Sequence, residues 1–116
     1  MVRMIVRLGA AAVVAAVGFG SVSAFAASAE NGRKAFANYG CWSCHGYEGQ
    51  GATTGPKLAP DPLPKEGFVA FVRTTDKQMP PYHESVLPER DMDDIYAFLE
   101  SIPKPKDYKT IPLLNP

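Results

Sequence analysis

Three stretches of this chain place apolar residues at intervals that bring them to one side only if the backbone is helical. Gly32, Ala35, Phe36 and Tyr39 recur at i, i+3, i+4 and i+7, the stripe of a 3.6-residue period. The spacing predicts a helix from Ala29 to Tyr39, with Asn31 as its N-cap and Gly40 as its C-terminal stop. A shorter helix is predicted over Lys65–Thr74, with Phe68, Phe71 and Val72 toward the core. The longest stripe, Met92, Ile95, Tyr96, Leu99 and Ile102, predicts a helix over Glu89–Ser101 that Pro103 ends. Glu89, Asp91, Asp93 and Asp94 crowd its start, where the positive end of the helix dipole favours them, and read as a solvated first turn.

Between these stripes the chain is broken by glycine and proline. Gly46 to Pro56 carries four glycines, Gly46, Gly49, Gly51 and Gly55, and predicts a tightly turning loop. It has no G-K-[ST] and no preceding strand, so a phosphate cradle is not indicated. Pro60, Pro62 and Pro64 prevent a regular helix across Lys57–Pro64, which reads as an extended connector. Asp76 to Tyr82 is a loop in which Pro80 pushes Met79 out of helical geometry. Beyond Pro103, the segment Lys104–Pro116, with Pro105, Pro112 and Pro116 beside Ile111, Leu113 and Leu114, reads as an extended strap.

The first residues follow a different rule. Arg3 and Arg7 precede an apolar run from Leu8 to Phe19, and Ala24-Phe25-Ala26 offers small residues for cleavage, the three parts of an export signal. The reading is a signal peptide over residues 1–26, although Val22-Ser23-Ala24 and Ala27-Ser28-Ala29 have similar spacing. The rival is a retained anchor, because Leu8 to Ala29 is uncharged and just long enough to span a bilayer. Its richness in Gly, Ala and Ser favours cleavage. Arg3 and Arg7 are not adjacent, so no twin-arginine address is indicated.

Length then allows one domain: 116 residues less the signal leave about 90, a size at which a single apolar core barely suffices. The whole chain carries 12 basic and 12 acidic residues; without Arg3 and Arg7 it has 10 against 12, a formal charge of −2. Nucleic-acid binding is unsupported by that balance, and no strong field toward an acidic surface is expected.

The chemistry is concentrated in Cys41-Trp42-Ser43-Cys44-His45, a C-x-x-C-H attachment site for c-type haem. On a helical turn, cysteines at i and i+3 lie one above the other, so two sulfurs reach two vinyl groups along one side of a macrocycle. His45 follows directly, which carries its imidazole to the iron as an axial ligand. The alternatives are a redox disulfide or half of a zinc site. With two cysteines a four-sulfur site is impossible, and the 38-residue separation of His45 and His83 matches no finger spacing. No strand-helix pattern of the thioredoxin kind surrounds the motif. A buried macrocycle also supplies much of the core that so short a chain lacks.

Two further residues complete the candidate set. Pro56, 11 positions beyond His45, offers a carbonyl that can accept the imidazole Nδ1 proton; a plain turn proline is the other reading. For the second axial ligand, Met1 and Met4 leave with the signal and Met92 lies on a helical apolar stripe, so Met79 remains among the 4 methionines. His83 is its competitor, placed after Pro-Pro-Tyr where an exposed residue is expected.

With these residues in view, the chain resembles a small bacterial class I cytochrome c over about residues 30 to 102. The shared features are Gly32 and Phe36, Cys41 to Gly46, Gly55-Pro56-Lys57-Leu58, Met79-Pro80, and Ile95-Tyr96-Ala97-Phe98-Leu99. The resemblance implies an all-α cytochrome c fold, three to four short helices around one haem c, with the first and last helices crossing near Gly32 and Tyr96. It implies thioether bonds through Cys41 and Cys44 and axial His45 and Met79. Pro88 departs from it, standing where a Ser or Thr cap is common, and the tail lies outside it.

An iron capped on both faces has no open position for substrate, so the function expected is one-electron transfer. The expectation is a periplasmic carrier, or the small electron-accepting cytochrome subunit of a dehydrogenase, with no enzymatic activity of its own. Ser43 beside His45 is no triad, because that imidazole is committed to iron. Redox proteins are the expected partners: a dehydrogenase as donor, an oxidase or another cytochrome as acceptor, with Pro81 and Tyr82 on the docking rim. A membrane association is expected only if the anchor is retained. Two alternatives are a gas-binding or peroxidatic haem protein whose Met79 is displaceable, and a structural subunit that holds a partner enzyme through its tail.

Overall fold

The apolar stripes form helices where their spacing puts them. The computed structural model describes residues 25–115. Almost all of the export segment lies outside these residues, and with it the choice between signal and anchor. No helix among the described residues is long and apolar enough to cross a membrane. In chain order the elements are α1 (Ala29–Asn38), α2 (Trp42–His45), α3 (Lys65–Thr74) and α4 (Glu89–Ser101), followed by two 3-10 turns at Tyr108–Thr110 and Pro112–Leu114. Among the described residues the only β-type pairing is an isolated bridge between Ala52 and Gly55. The architecture is all-α, as expected.

The principal helix contact is α1 against α4. Gly32 makes it possible: a Cβ there would collide with the Asp94 carbonyl and stand 2.8 Å from Phe98 Cβ. Two helix backbones touch at this point, and any side chain would wedge them apart. Below it, Phe36 is 1% exposed and its ring meets that of Phe98 at 5.5 Å in a tilted arrangement, burial worth about 1.5–3 kcal/mol for one such side chain. The crossing is therefore at Gly32 and Asp94–Phe98, the stretch that brackets Tyr96, as the resemblance implies. Tyr96 faces the other way, against Phe68 of α3 at 5.4 Å, with its hydroxyl donating to the Leu63 carbonyl at 3.0 Å.

Several expectations are corrected. The N-cap of α1 is Ser28, whose hydroxyl accepts from the Asn31 N–H at 3.2 Å; Asn31 lies inside the helix. Ser28 wins because its own N–H also donates to Asp94 Oδ1, which fixes the chain just before the helix begins. The start of α4 is accordingly not a simply solvated acidic turn. Asp94 is only 5% exposed, Asp91 Oδ2 accepts the Tyr39 hydroxyl at 2.7 Å, and Asp93 pairs with Lys65 at 2.9 Å. Phe71, expected in the core, is 46% exposed, while Phe68 is buried. Phe71 lies three residues from Phe68 on the same stripe, and α3 turns Phe68 rather than Phe71 toward Tyr96 of α4.

The connector contains no helix, but it bends at Asp61, which has φ 59. The tail carries two 3-10 turns, which follow from the Asp107 carboxylate accepting the Lys109 N–H and from Pro112 starting the second turn. Its apolar residues stay outside the core, Leu113 being 93% exposed.

Candidate functional site

α1 ends at Tyr39 and the chain passes directly into the attachment motif. The Cys41 N–H donates to the Phe36 carbonyl at 3.1 Å, and the His45 N–H closes a helical turn on the Cys41 carbonyl at 3.0 Å. One turn of helix, α2, thus holds Cys41, Cys44 and His45 as a unit. Ser43 adds a side-chain bond to the Gly40 carbonyl at 2.7 Å. Both thiols are free; Cys44 is exposed and Cys41 half-buried against the core. Burial pushes the Cys41 thiol up to about 11.

The imidazole of His45 is 8% exposed, and its Nδ1 lies 2.8 Å from the Pro56 carbonyl. A carbonyl can only accept, so the proton sits on Nδ1 and the lone pair on Nε2, the tautomer that suits a metal ligand. The intervening loop is folded to bring Pro56 there. Gly46 turns the chain at φ 80, a region that side chains rarely adopt. Farther on, the Gly51 N–H donates to the His45 carbonyl at 2.8 Å, and the Gly49 carbonyl accepts from Leu58 and Ala59 at 2.7 and 2.9 Å. At Gly55 an added Cβ would stand 2.5 Å from the Cys44 carbonyl. The loop therefore lies flat on the motif, and only glycine fits at that contact. Trp42 and Tyr47 stack outside it with centroids 4.8 Å apart and planes 9° from parallel.

Met79 is half-buried in the loop that follows α3, and His83 is exposed. The neck of this loop is closed by the Tyr82 N–H, which donates to the Val72 carbonyl at 2.9 Å. Tyr82 is not a free rim residue. Its hydroxyl donates to the Tyr39 carbonyl at 2.9 Å, which ties the Met79 loop to the chain just before Cys41. Burial, and next the neighbouring Cys41 and Cys44 sulfurs, raise its pKa above the ordinary value. Pro81 beside it is exposed. Among the described residues no group of three or more His, Cys, Asp or Glu side chains gathers as a metal cluster.

Sequence reasoning missed three contributors. Arg73 donates from Nη1 to the Tyr82 and Leu87 carbonyls at 2.9 and 2.6 Å. Its partners are backbone atoms, so no residue type announces them. Asp94 and Asp91 were detectable in principle, since Asp91, Asp94 and Phe98 follow one i, i+3, i+7 line along α4.

No curated protein and no solved structure matches the chain. Residues 27–99, well over half of it, match the family described as Cytochrome C oxidase, cbb3-type, subunit III. The match spans α1, the C-x-x-C-H turn, the Met79 loop and most of α4. The chain belongs to that family of small c-type cytochrome domains, which carry covalently bound haem c and transfer electrons.

Proposed function

We propose that this chain is a single-haem, one-electron carrier of the periplasm, acting alone or as the small electron-accepting cytochrome subunit of a dehydrogenase. Cys41 and Cys44 hold the haem by thioether bonds, and His45 and Met79 are its axial ligands. The observation that carries the reading is the buried His45 imidazole with Nδ1 2.8 Å from the Pro56 carbonyl. That bond fixes the ring, leaves Nε2 as the donor and raises its basicity. The donor set fits the group: two free sulfurs on one helical turn with an imidazole adjacent, and a loop held so close at Gly55 that a methyl would strike the motif.

When bound, the haem supplies a metal that cycles between two oxidation states, and a thioether ligand with burial favours the reduced one. The protein's part is to keep both ligand-bearing segments still, so that little reorganises when an electron arrives. Tyr82 links them through the Tyr39 carbonyl. Residues 1–26 are proposed to act as an export signal, which delivers the chain to the compartment where such haem is attached. Donor and acceptor are proposed to be other redox proteins.

Optical spectroscopy of the purified holoprotein tests the ligation. A near-infrared methionine-to-iron band is expected in the ferric protein, retained in His83→Ala and abolished in Met79→Ala, with the midpoint potential falling in the latter. A high-spin resting spectrum in the unaltered protein would overturn the carrier in favour of a ligand-binding haem.

A further inference from the structure

Several cations among the described residues have no carboxylate partner, and Arg73 is the one of them whose guanidinium is bonded to main-chain carbonyls. Arg73 forms none of the ion pairs found among the described residues. Its guanidinium instead points along the C-terminal turn of α3 into the segment that follows. A single nitrogen, Nη1, donates to two main-chain carbonyls, Tyr82 at 2.9 Å and Leu87 at 2.6 Å. Those carbonyls bracket the turn His83–Val86, which is itself closed by the Val86 and Leu87 N–H groups on the His83 carbonyl, both at 2.9 Å. Leu87 is buried in the core and Tyr82 is three residues beyond Met79.

The neighbouring residue completes the arrangement, since the Val72 carbonyl receives the Tyr82 N–H. Tyr82 is thus gripped at both its N–H and its C=O by two consecutive residues of α3, and at its hydroxyl by Tyr39. On the other arm of the loop, Thr75 is buried and its hydroxyl accepts from the Lys77 N–H at 3.2 Å. Both arms of the Met79 loop are therefore set on the end of α3, and among the described residues Arg73 is the only charged side chain that does the setting.

We infer that Arg73 is the positioning residue that holds the Met79 loop in its ligating register, so that its loss makes the sixth ligand easy to displace. The inference rests on the assignment of Met79 as axial ligand. Hydrogen bonds from a charged donor are stronger than neutral ones. Removing the donor leaves two carbonyls, one beside the buried Leu87, to find water by opening the loop. The equilibrium between closed and open loop then shifts toward the form that accepts an outside ligand.

The experiment is an imidazole titration of the ferric holoprotein, followed through the near-infrared band, for the unaltered chain, Arg73→Gln and Arg73→Lys. Arg73→Gln is expected to bind imidazole at least about tenfold more tightly, the equivalent of one lost charge-assisted bond of roughly 1.4 kcal/mol. Arg73→Lys, which keeps charge and donors but not the planar fork, is expected to lie between the two. An Arg73→Gln protein with unaltered imidazole affinity and band would overturn the inference, even if it melts earlier.

Should Arg73→Gln yield no holoprotein, nitrogen NMR of the unaltered chain decides. Rotation of the Arg73 guanidinium is expected to be slow when Met79 is bound and fast in saturating imidazole, by reciprocity of the coupling. The same rotation rate in both states would overturn the inference. Absence of the near-infrared band from the unaltered protein would instead show that the ligand assignment had failed, and the role given to Arg73 would fall with it.

Discussion

Tyr82 shows how one side chain can join two halves of a redox site. Its hydroxyl reaches the Tyr39 carbonyl just before Cys41, and its amide closes the Met79 loop. Tyr82→Phe keeps the ring and the amide and removes one hydrogen bond, so an unfolding loss of about 1 kcal/mol is expected in denaturant titration of the holoprotein. The alkaline limb of stability draws on the same residue together with Tyr39 and Tyr96. Tyr39, Tyr82 and Tyr96 all have pKa values raised above the ordinary one: Tyr39 mainly through its bond to Asp91, the other two mainly through burial. A group that holds its proton more tightly when folded contributes stability that is complete below the unfolded pKa, near 10, and is lost as pH rises through the folded value. Stability is expected to hold to about pH 10 and to fall above it, less steeply in Tyr82→Phe. A pH-independent midpoint between 9 and roughly 11.5 would exclude the phenols as its source.

At the level of elements, the crossing of α1 and α4 is held by a missing side chain and a buried carboxylate. Gly32 lets the backbones touch, and Asp94, 5% exposed, accepts the Ser28 N–H at the mouth of α1. Gly32→Ala is expected to cost about 1–3 kcal/mol, because an Ala methyl gains helix propensity of only about 1 kcal/mol while forcing apart two backbones that cannot yield. Asp94→Ala leaves the Ser28 N–H without its acceptor and removes a buried charged partner, for a loss of about 1–3 kcal/mol. Thermal unfolding of each holoprotein measures both, and an unchanged midpoint in Gly32→Ala would contradict the close approach. Here the acidic cluster at the start of α4 takes on a different meaning. Asp91, Asp93 and Asp94 each have a tertiary partner in Tyr39, Lys65 and Ser28, so the cluster joins α4 to α1 and α3 as well as facing the dipole.

Across the whole molecule, charge and apolarity are unevenly shared between body and tail. Lys104, Lys106 and Lys109 outnumber the one acid of the tail, Asp107, whereas the residues before them are acid-rich. The tail touches the body through the exposed pair Lys104–Asp61 at 3.1 Å, a contact worth about 0–1 kcal/mol. Deleting 104–116 is therefore expected to change unfolding stability by less than roughly 1 kcal/mol and to leave the midpoint potential unaltered. A large destabilisation would show that the exposed Tyr108, Leu113 and Leu114 support the fold after all. The helices and the C-x-x-C-H turn were legible because periodicity and motif spacing are local quantities. The Asn31 and Phe71 assignments failed because both depend on what lies opposite: Ser28 is favoured by Asp94, 66 residues away in the chain, and α3 turns Phe68 rather than Phe71 toward Tyr96.

The Pro56 carbonyl was one of two readings until the fold set it beside Nδ1; by itself the sequence determined which segments are helical and where two sulfurs and an imidazole share one turn. Each of these follows from bond geometry over a few residues or from the chemistry of one side chain. Only the tertiary structure decided that Gly32 meets Asp94 and Phe98, that Tyr82 bridges to Tyr39, and that Arg73 holds Tyr82 and Leu87. Those contacts end on backbone carbonyls or on the absence of a Cβ. Every residue has a carbonyl, so the partner is selected by the path of the chain in space and leaves no mark in the letters.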